Sequence, residues 1–338
     1  MHITDKSKLV ISLIVTGKCN NHCTYCHFYA NHDRKLYNRN MEFSLFERYL
    51  DFINFLKTKT KHITCRFSGG EPLVMGEELF KYSSAMFEKT GYTPYIMTNG
   101  KLLSEKVIED CKENHISSFV VSLENPVDMD DGSIDTDKVI NAYKRLQNST
   151  IPLYLGMVIV KNEKFKDIKK ICDILYDKLG EIPPICELNF LPYTSPAEEE
   201  LIDLYEGLKA VIKKYYGKTS FSFFPYITPE YYSNNLNGSE YLIEFPIDDI
   251  YGFMTKTNEE LLEVYEDKLN KAYFAYNCPN SSCEWHDACS RIKWVWGDRS
   301  FTVSKEQKMK DYCRFKKTIS RAFLDALTDL SNRGKIEA

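Results

Sequence analysis

Apolar residues in the first half of the chain fall into short unbroken runs. Between the runs, apolar positions recur every three or four residues. The runs Leu9–Val15, His62–Phe67, Thr93–Met97, Phe119–Leu123, Leu153–Val160 and Glu187–Leu191 predict strands. The intervening Ser44–Leu56, Glu77–Lys89, Ser104–Asn114, Asp135–Leu146 and Phe165–Leu179 predict amphipathic helices, as in the spacing of Ile168, Ile171, Cys172, Leu175 and Leu179. Strands and helices that alternate in series imply a parallel sheet with helices on its outside. The nearly continuous apolar character of the strands fits a sheet covered on both faces.

Beyond residue 195 the pattern changes. Residues 196–270 read as a helical, aromatic-rich bridging region, with Phe221, Phe223, Phe224, Tyr226, Tyr231, Tyr232, Phe245 and Tyr251 among its rings. Two readings stand for the ring-rich part: a loop packed by its own rings over the mouth of the sheet, or a lid that lays a peptide across it. Residues 271–338 are more polar and carry a cysteine group, which sets them apart as a small C-terminal domain.

At 338 residues the chain is long enough for a substantial core. A net charge of −4 leaves no electrostatic footprint for nucleic acid or an anionic membrane, and neither is expected as a partner. The N-terminal residues lack a signal-peptide hydrophobic region, and no apolar run is long enough to span a bilayer. Eleven cysteines in such a chain argue for a reducing cytoplasm and for metal ligation rather than disulfides.

The chemistry begins at Cys19-x-x-x-Cys23-x-x-Cys26, directly after the first predicted strand. A [4Fe–4S] cube is normally held by four thiolates, so a tight group of three leaves one iron corner open to a small molecule. The triplet alone also admits a structural zinc, with His22 or His27 as fourth ligand. A second motif, Gly69-Gly70-Glu71-Pro72, closes the second predicted strand. Two glycines there let backbone approach a ligand closely, and the glutamate can receive an ammonium group.

The triplet, the Gly-Gly-Glu-Pro turn and the following Thr98-Asn99-Gly100 together resemble the radical S-adenosylmethionine (SAM) superfamily over roughly residues 9–192. The resemblance implies a (βα)6 partial TIM-type barrel over residues 1–195. It implies that Cys19, Cys23 and Cys26 hold a [4Fe–4S] cluster whose open iron is chelated by SAM. Tyr25 then stands at the ring position near the adenine, and Gly69, Gly70 and Glu71 at the turn that meets the methionyl amine. Asn99, Ser122 and Glu124, and Ile159 on the adenine-reading fifth strand, complete the expected cofactor site. Peptide-modifying members commonly have Asp-Gly after the fourth strand and an arginine beyond it. This chain has Glu124-Asn125 and no such arginine.

The C-terminal group is Cys278, Cys283, Cys289 and Cys313, enough to close a tetrahedral zinc or a fully ligated cluster. It resembles the later half of the SPASM extension, with the ligands of the extension's other cluster missing. That implies one auxiliary [4Fe–4S] cluster in a reduced SPASM- or twitch-like domain, with zinc the alternative. Cys65, Cys111 and Cys172 read as structural. Cys186, at the start of the sixth strand, and Asp248 and Asp249 are the candidates for a catalytic acid, base or hydrogen donor.

The resemblance thus implies an enzyme that makes a 5′-deoxyadenosyl radical and oxidatively modifies a peptide, a ribosomally made precursor, by crosslinking or dehydrogenation. Its expected partners are the peptide, an electron donor such as flavodoxin or ferredoxin, and a separate leader-recognition protein. The alternatives are a sulfatase-maturase-like oxidase, a small-molecule dehydrogenase, a peptide epimerase, and a non-catalytic iron–sulfur or zinc protein.

Overall fold

The computed structural model describes residues 3–21, 38–124, 136–147, 149–159, 167–190, 197–219, 240–275, 292–295 and 305–332. The expected βα series is present: β1 (Lys8–Thr16), α1 (Phe43–Lys57), β2 (His62–Gly69), α2 (Glu77–Thr90), β3 (Tyr95–Thr98), α3 (Glu105–Glu113), β4 (Phe119–Glu124), α4 (Asp137–Leu146), β5 (Leu153–Ile159), α5 (Asp167–Leu179) and β6 (Ile185–Phe190). It continues with α6 (Glu198–Tyr215), β7 (Glu240–Phe245), α7 (Asn258–Ala275), β8 (Ile292–Val295) and α8 (Lys305–Ser331).

The strands form one parallel sheet in the order β6-β5-β4-β3-β2-β1-β7-β8. This is the barrel-type architecture the first half of the sequence predicts, with a correction: among the described residues the sheet has eight strands where six were expected. The chain returns after α6 and adds β7 along the free edge of β1, with Lys8 opposite Glu240 and Leu13 opposite Phe245. Each added strand is short, and β7 follows a stretch whose glycines and prolines read as irregular, so periodicity did not single either out.

Strand β1 is buried on both faces, as expected for a central strand of a covered parallel sheet. Leu9, Ile11, Leu13 and Val15 are fully buried on one face. On the other, Ile14 is buried and the Ser12 and Ser68 hydroxyls meet at 2.8 Å in a buried pair. On the helix side, α1 packs an aromatic cluster against β7. Tyr49 stacks on Phe245 at 4.7 Å between ring centroids and donates its hydroxyl to the Pro246 carbonyl at 2.7 Å. Phe52, Phe253 and Tyr265 complete the cluster, all with negligible exposure. Phe245 is therefore a core residue rather than part of a loop over the mouth. The other rings named from 221 to 232 lie outside the described residues.

Arg48 on α1 then fastens the segment after β7. Its guanidinium donates to the carbonyls of Phe253 and Lys256 and to the Asn258 side chain, at 2.7–2.9 Å. Helices α6 and α8 lie parallel and are tied along their length by polar contacts. These include Arg314 to Glu198 at 2.7 Å, Tyr205 to Asp325 at 2.6 Å, and Lys213 and Lys209 to Asp329 at 2.7 and 3.4 Å.

No helix among the described residues is long and apolar enough to cross a membrane.

Candidate active site

Three strand exits meet at the C-terminal end of the sheet, the end where parallel barrels carry their chemistry. Strand β1 ends at Thr16, and the cysteine segment begins at once. Thr16 is fully buried and holds both ends of this segment. Its hydroxyl lies 2.8 Å from the Asn40 side-chain oxygen and 3.3 Å from the Arg39 carbonyl, and accepts the Lys18 N–H at 3.1 Å. Around it, Gly17 N–H donates to Arg39 and Met41 N–H to Val15, at 2.9 and 2.8 Å. Residues 15–18 and 39–41, which bracket the cysteine segment, are thus hydrogen-bonded to one another. Arg39 also pairs with Asp248.

The second exit is the turn at the end of β2. Gly70 N–H donates to the Thr16 carbonyl and Glu71 N–H to the Lys18 carbonyl, both at 2.8 Å. A Cβ on Gly69 would stand 2.1 Å from the Thr16 oxygen, and one on Gly70 2.2 Å from the Lys18 oxygen. Gly69 moreover has φ +134°, a conformation side chains rarely adopt. The backbone that approaches the two glycines is therefore that of Thr16–Lys18, which leads into the cysteine segment.

Glu71 joins this turn to the third exit, after β3. Its side chain is fully buried. One carboxylate oxygen accepts from the Thr98 hydroxyl at 2.8 Å and from Leu73 N–H at 3.1 Å, and the other from Asn99 N–H at 2.7 Å. The Leu73 contact caps the short 3-10 turn Pro72–Met75, with Pro72 pre-set at its first position. The carboxylate expected to receive an ammonium group serves as a brace between two strand exits.

Asn99 and Lys101 carry the brace on to the cysteines. Asn99 donates its side-chain amide to Asn20 at 2.8 Å, and Lys101 donates its ammonium to Asn21 at 2.8 Å. Asn21 N–H in turn donates to the Cys19 sulfur at 3.3 Å. Cys19 is exposed, with a donor already aimed at its sulfur, an arrangement that suits a metal-bound thiolate. The residues described here fit the stem of an iron–sulfur site at the end of β1.

Of the other expected residues, Cys23, Tyr25 and Cys26 lie outside the described set, as do Cys278, Cys283 and Cys289. Ser122 is half-buried on β4 opposite Gly156 of β5. Glu124 and Ile159 end their strands, and their side chains lie outside the described set. Cys186 is half-buried on β6, its sulfur 3.5 Å from the Leu155 carbonyl. Asp249 accepts from the N–H groups of Phe253 and Met254 at 2.5 and 2.9 Å, so its carboxylate shapes the turn after β7. Cys313 is half-buried on α8, beside the Arg314 that pairs with the first residue of α6.

Cys65, Cys111 and Cys172 are buried, and burial pushes each thiol up to about 12, which suits structural cysteines. Sequence reasoning missed Thr16, Asn20, Asn40 and Lys101. Their contacts join segments far apart in the chain, and only the position of Thr16 and Asn20 beside the first cysteine offered a local signal.

The sequence model described as the Radical SAM superfamily matches residues 13–175, the stretch that supplies all three strand exits. Residues 13–175 are a radical SAM domain. A domain of that superfamily implies SAM and a [4Fe–4S] cluster as cofactors. The radical SAM cyclopropyl synthase TigE of Paramaledivibacter caminithermalis is 28% identical over 219 residues, 58% of this chain and 46% of that protein. An uncharacterized protein of Methanocaldococcus jannaschii is 29% identical over 153 residues, 44% of this chain and 48% of that one. The chain thus spans about half the length of these curated relatives. Among solved structures, anSMEcpe with bound AdoMet superposes with a TM-score of 0.63 at 17% identity, over 96% of both chains. Streptococcus suis SuiB bound to S-adenosylmethionine gives a TM-score of 0.54 at 16% identity, over 85% of this chain and 72% of that one. At such identities the likeness establishes the shared fold.

Proposed function

We propose that the chain is a radical SAM enzyme that oxidatively modifies a peptide, a ribosomally made precursor, by crosslinking or dehydrogenation at a carbon. The observation that carries this reading is the clamp of the Cys19 stem against the Gly69–Glu71 turn inside a radical SAM domain. Cys19, Cys23 and Cys26 would hold the cluster. The Gly69-Gly70-Glu71 turn would meet the methionyl end of SAM through its backbone, since the Glu71 carboxylate is engaged as a brace. When bound, this pair supplies a 5′-deoxyadenosyl radical able to take hydrogen from an unactivated carbon.

The protein's own contribution is to hold and to exclude. Thr16 ties the two ends of the cysteine segment, Glu71 locks the turn, and Asn99 fixes Asn20 beside the first cysteine. Ser122, Glu124, Tyr25 and Ile159 are assigned to the rest of the cofactor, and Cys186 to the substrate side of the sheet. Cys278, Cys283, Cys289 and Cys313 are assigned to one auxiliary [4Fe–4S] cluster, which would accept the electron left on the substrate. An electron donor of the flavodoxin or ferredoxin kind, and a separate leader-binding protein, complete the system.

The peptide reading draws support from the fold neighbours: SuiB has been solved with its precursor peptide SuiA, and anSMEcpe with the Cp18Cys peptide. The test is co-expression with short peptides encoded beside this chain's gene, followed by intact mass measurement. A loss of two mass units per modified site is expected. An unchanged mass for every such peptide, with an enzyme that still cleaves SAM, would overturn oxidative peptide modification in favour of peptide epimerisation or a small-molecule substrate.

A further inference from the structure

The contacts that run from the β3 exit to Cys19 do more than hold a loop. Lys101 N–H donates at 3.0 Å to the side-chain oxygen of Asn99, whose amide group holds Asn20. The Lys101 ammonium then donates to the Asn21 side chain at 2.8 Å. Asn21 is in turn the residue whose N–H meets the Cys19 sulfur at 3.3 Å. Two features therefore converge on one sulfur: a fixed amide donor, and a positive charge one residue behind it. Both favour added negative charge on the sulfur and on the metal group that it ligates. Hydrogen bonds to the sulfurs and net charge nearby are among the terms that set the reduction potential of an iron–sulfur cluster.

We infer that Lys101 is a positioning residue that raises the reduction potential of the cluster held by Cys19, acting through Asn21. The inference rests on the radical SAM reading of the triplet. The reduction concerned is the one-electron step of the cluster, with the electron supplied by dithionite or a low-potential donor. The reduced state carries one more negative charge than the oxidised state, so it gains more from the ammonium and the N–H donor. Loss of the ammonium makes the cluster harder to reduce and leaves its three cysteine ligands in place. Lys101 is exposed, so its contribution is screened and weakens as salt rises.

The test is an anaerobic redox titration of the reconstituted full chain, followed by EPR. The Cys19→Ala/Cys23→Ala/Cys26→Ala variant serves to subtract any signal from other clusters, and the signal that changes on adding SAM identifies the cluster of interest. Native protein, Lys101→Met, Lys101→Arg and Asn21→Ala are compared at low and at high salt, with iron content measured in each. The expected result is native iron content in Lys101→Met with a more negative midpoint. Lys101→Arg should restore the native value, Asn21→Ala should shift in the same direction as Lys101→Met, and the differences should narrow at high salt. An unchanged midpoint in Lys101→Met would overturn the inference. Loss of iron from that variant would also overturn it, by showing a purely structural role. Failure of the underlying reading would look different: the native protein itself would have no SAM-responsive signal.

Discussion

The carbonyl oxygen of Thr16 occupies the space where a side chain on Gly69 would begin, 2.1 Å from the Cβ position. The two residues end neighbouring parallel strands and lie opposite one another in the register. Any side chain at Gly69 must push the Thr16 backbone away from the turn and also hold an unfavourable φ. Gly69→Ala should therefore cost about 2 kcal/mol or more of stability and lower the retention of iron. Gly70→Ala, 2.2 Å from the Lys18 oxygen, should behave alike. Thermal denaturation together with iron content after reconstitution measures both effects. Native values for both variants would show that the stem does not depend on this close approach.

Glu71 gives a second prediction. Its two carboxylate oxygens accept three hydrogen bonds from Leu73, Thr98 and Asn99. Glu71→Gln turns an amide N–H₂ toward one of these donors and leaves a buried group unmatched, at a cost of about 2–3 kcal/mol. Thr98→Val removes one donor and should cost less, about 1 kcal/mol. The melting temperatures of the apoproteins report both, free of any effect of the cofactor. If Glu71→Gln melts with the native protein while losing SAM binding, the carboxylate is a ligand contact rather than a brace.

Much of this fold was legible because a buried parallel strand and an amphipathic helix leave unmistakable patterns. Leu9–Val15 and Ile168–Leu179 declared themselves through burial alone. Strands β7 and β8 did not. They are short, and β7 depends on the free edge of β1 rather than on its own pattern. In the site, the cysteines and the Gly-Gly-Glu-Pro turn could be picked out because their chemistry requires those residue types. The brace that Glu71 makes could not be read, since Thr98 and Asn99, which it joins to the turn, are 27 and 28 residues away in the chain. Thr16 and Lys101 were silent for the same reason.

The buried thiols predict a pattern of reactivity. Cys65, Cys111 and Cys172 are buried, with thiols pushed up to about 12, whereas Cys19 is exposed. Brief alkylation of native apoprotein at about pH 8 should mark Cys19 and spare the other three. Peptide mapping by mass spectrometry reads the sites. Equal labelling of Cys65 and Cys19 in folded protein would contradict this packing.

Asp173 links stability to acid pH. Burial raises its carboxyl, but hydrogen bonds from Lys169, Tyr215 and Lys214 outweigh burial and bring it from 3.8 to about 2. A carboxylate whose folded value is depressed stabilises the fold above its ordinary value, and that stability is lost as pH falls from 3.8 through about 2. With solvent screening, the contribution is about 1 kcal/mol at neutral pH. Asp173→Asn should be less stable than native protein by that amount at pH 7, with the difference shrinking below pH 3.8 and vanishing below about pH 2. Urea denaturation across this range measures it, and a constant difference would remove Asp173 from the acid response.

The most direct test of the central claim is the product of SAM cleavage. Anaerobically reconstituted protein, given SAM and a strong reductant, should form 5′-deoxyadenosine and methionine, and the Cys19→Ala variant should form neither. Absence of 5′-deoxyadenosine from native protein that carries its full complement of iron would contradict the account.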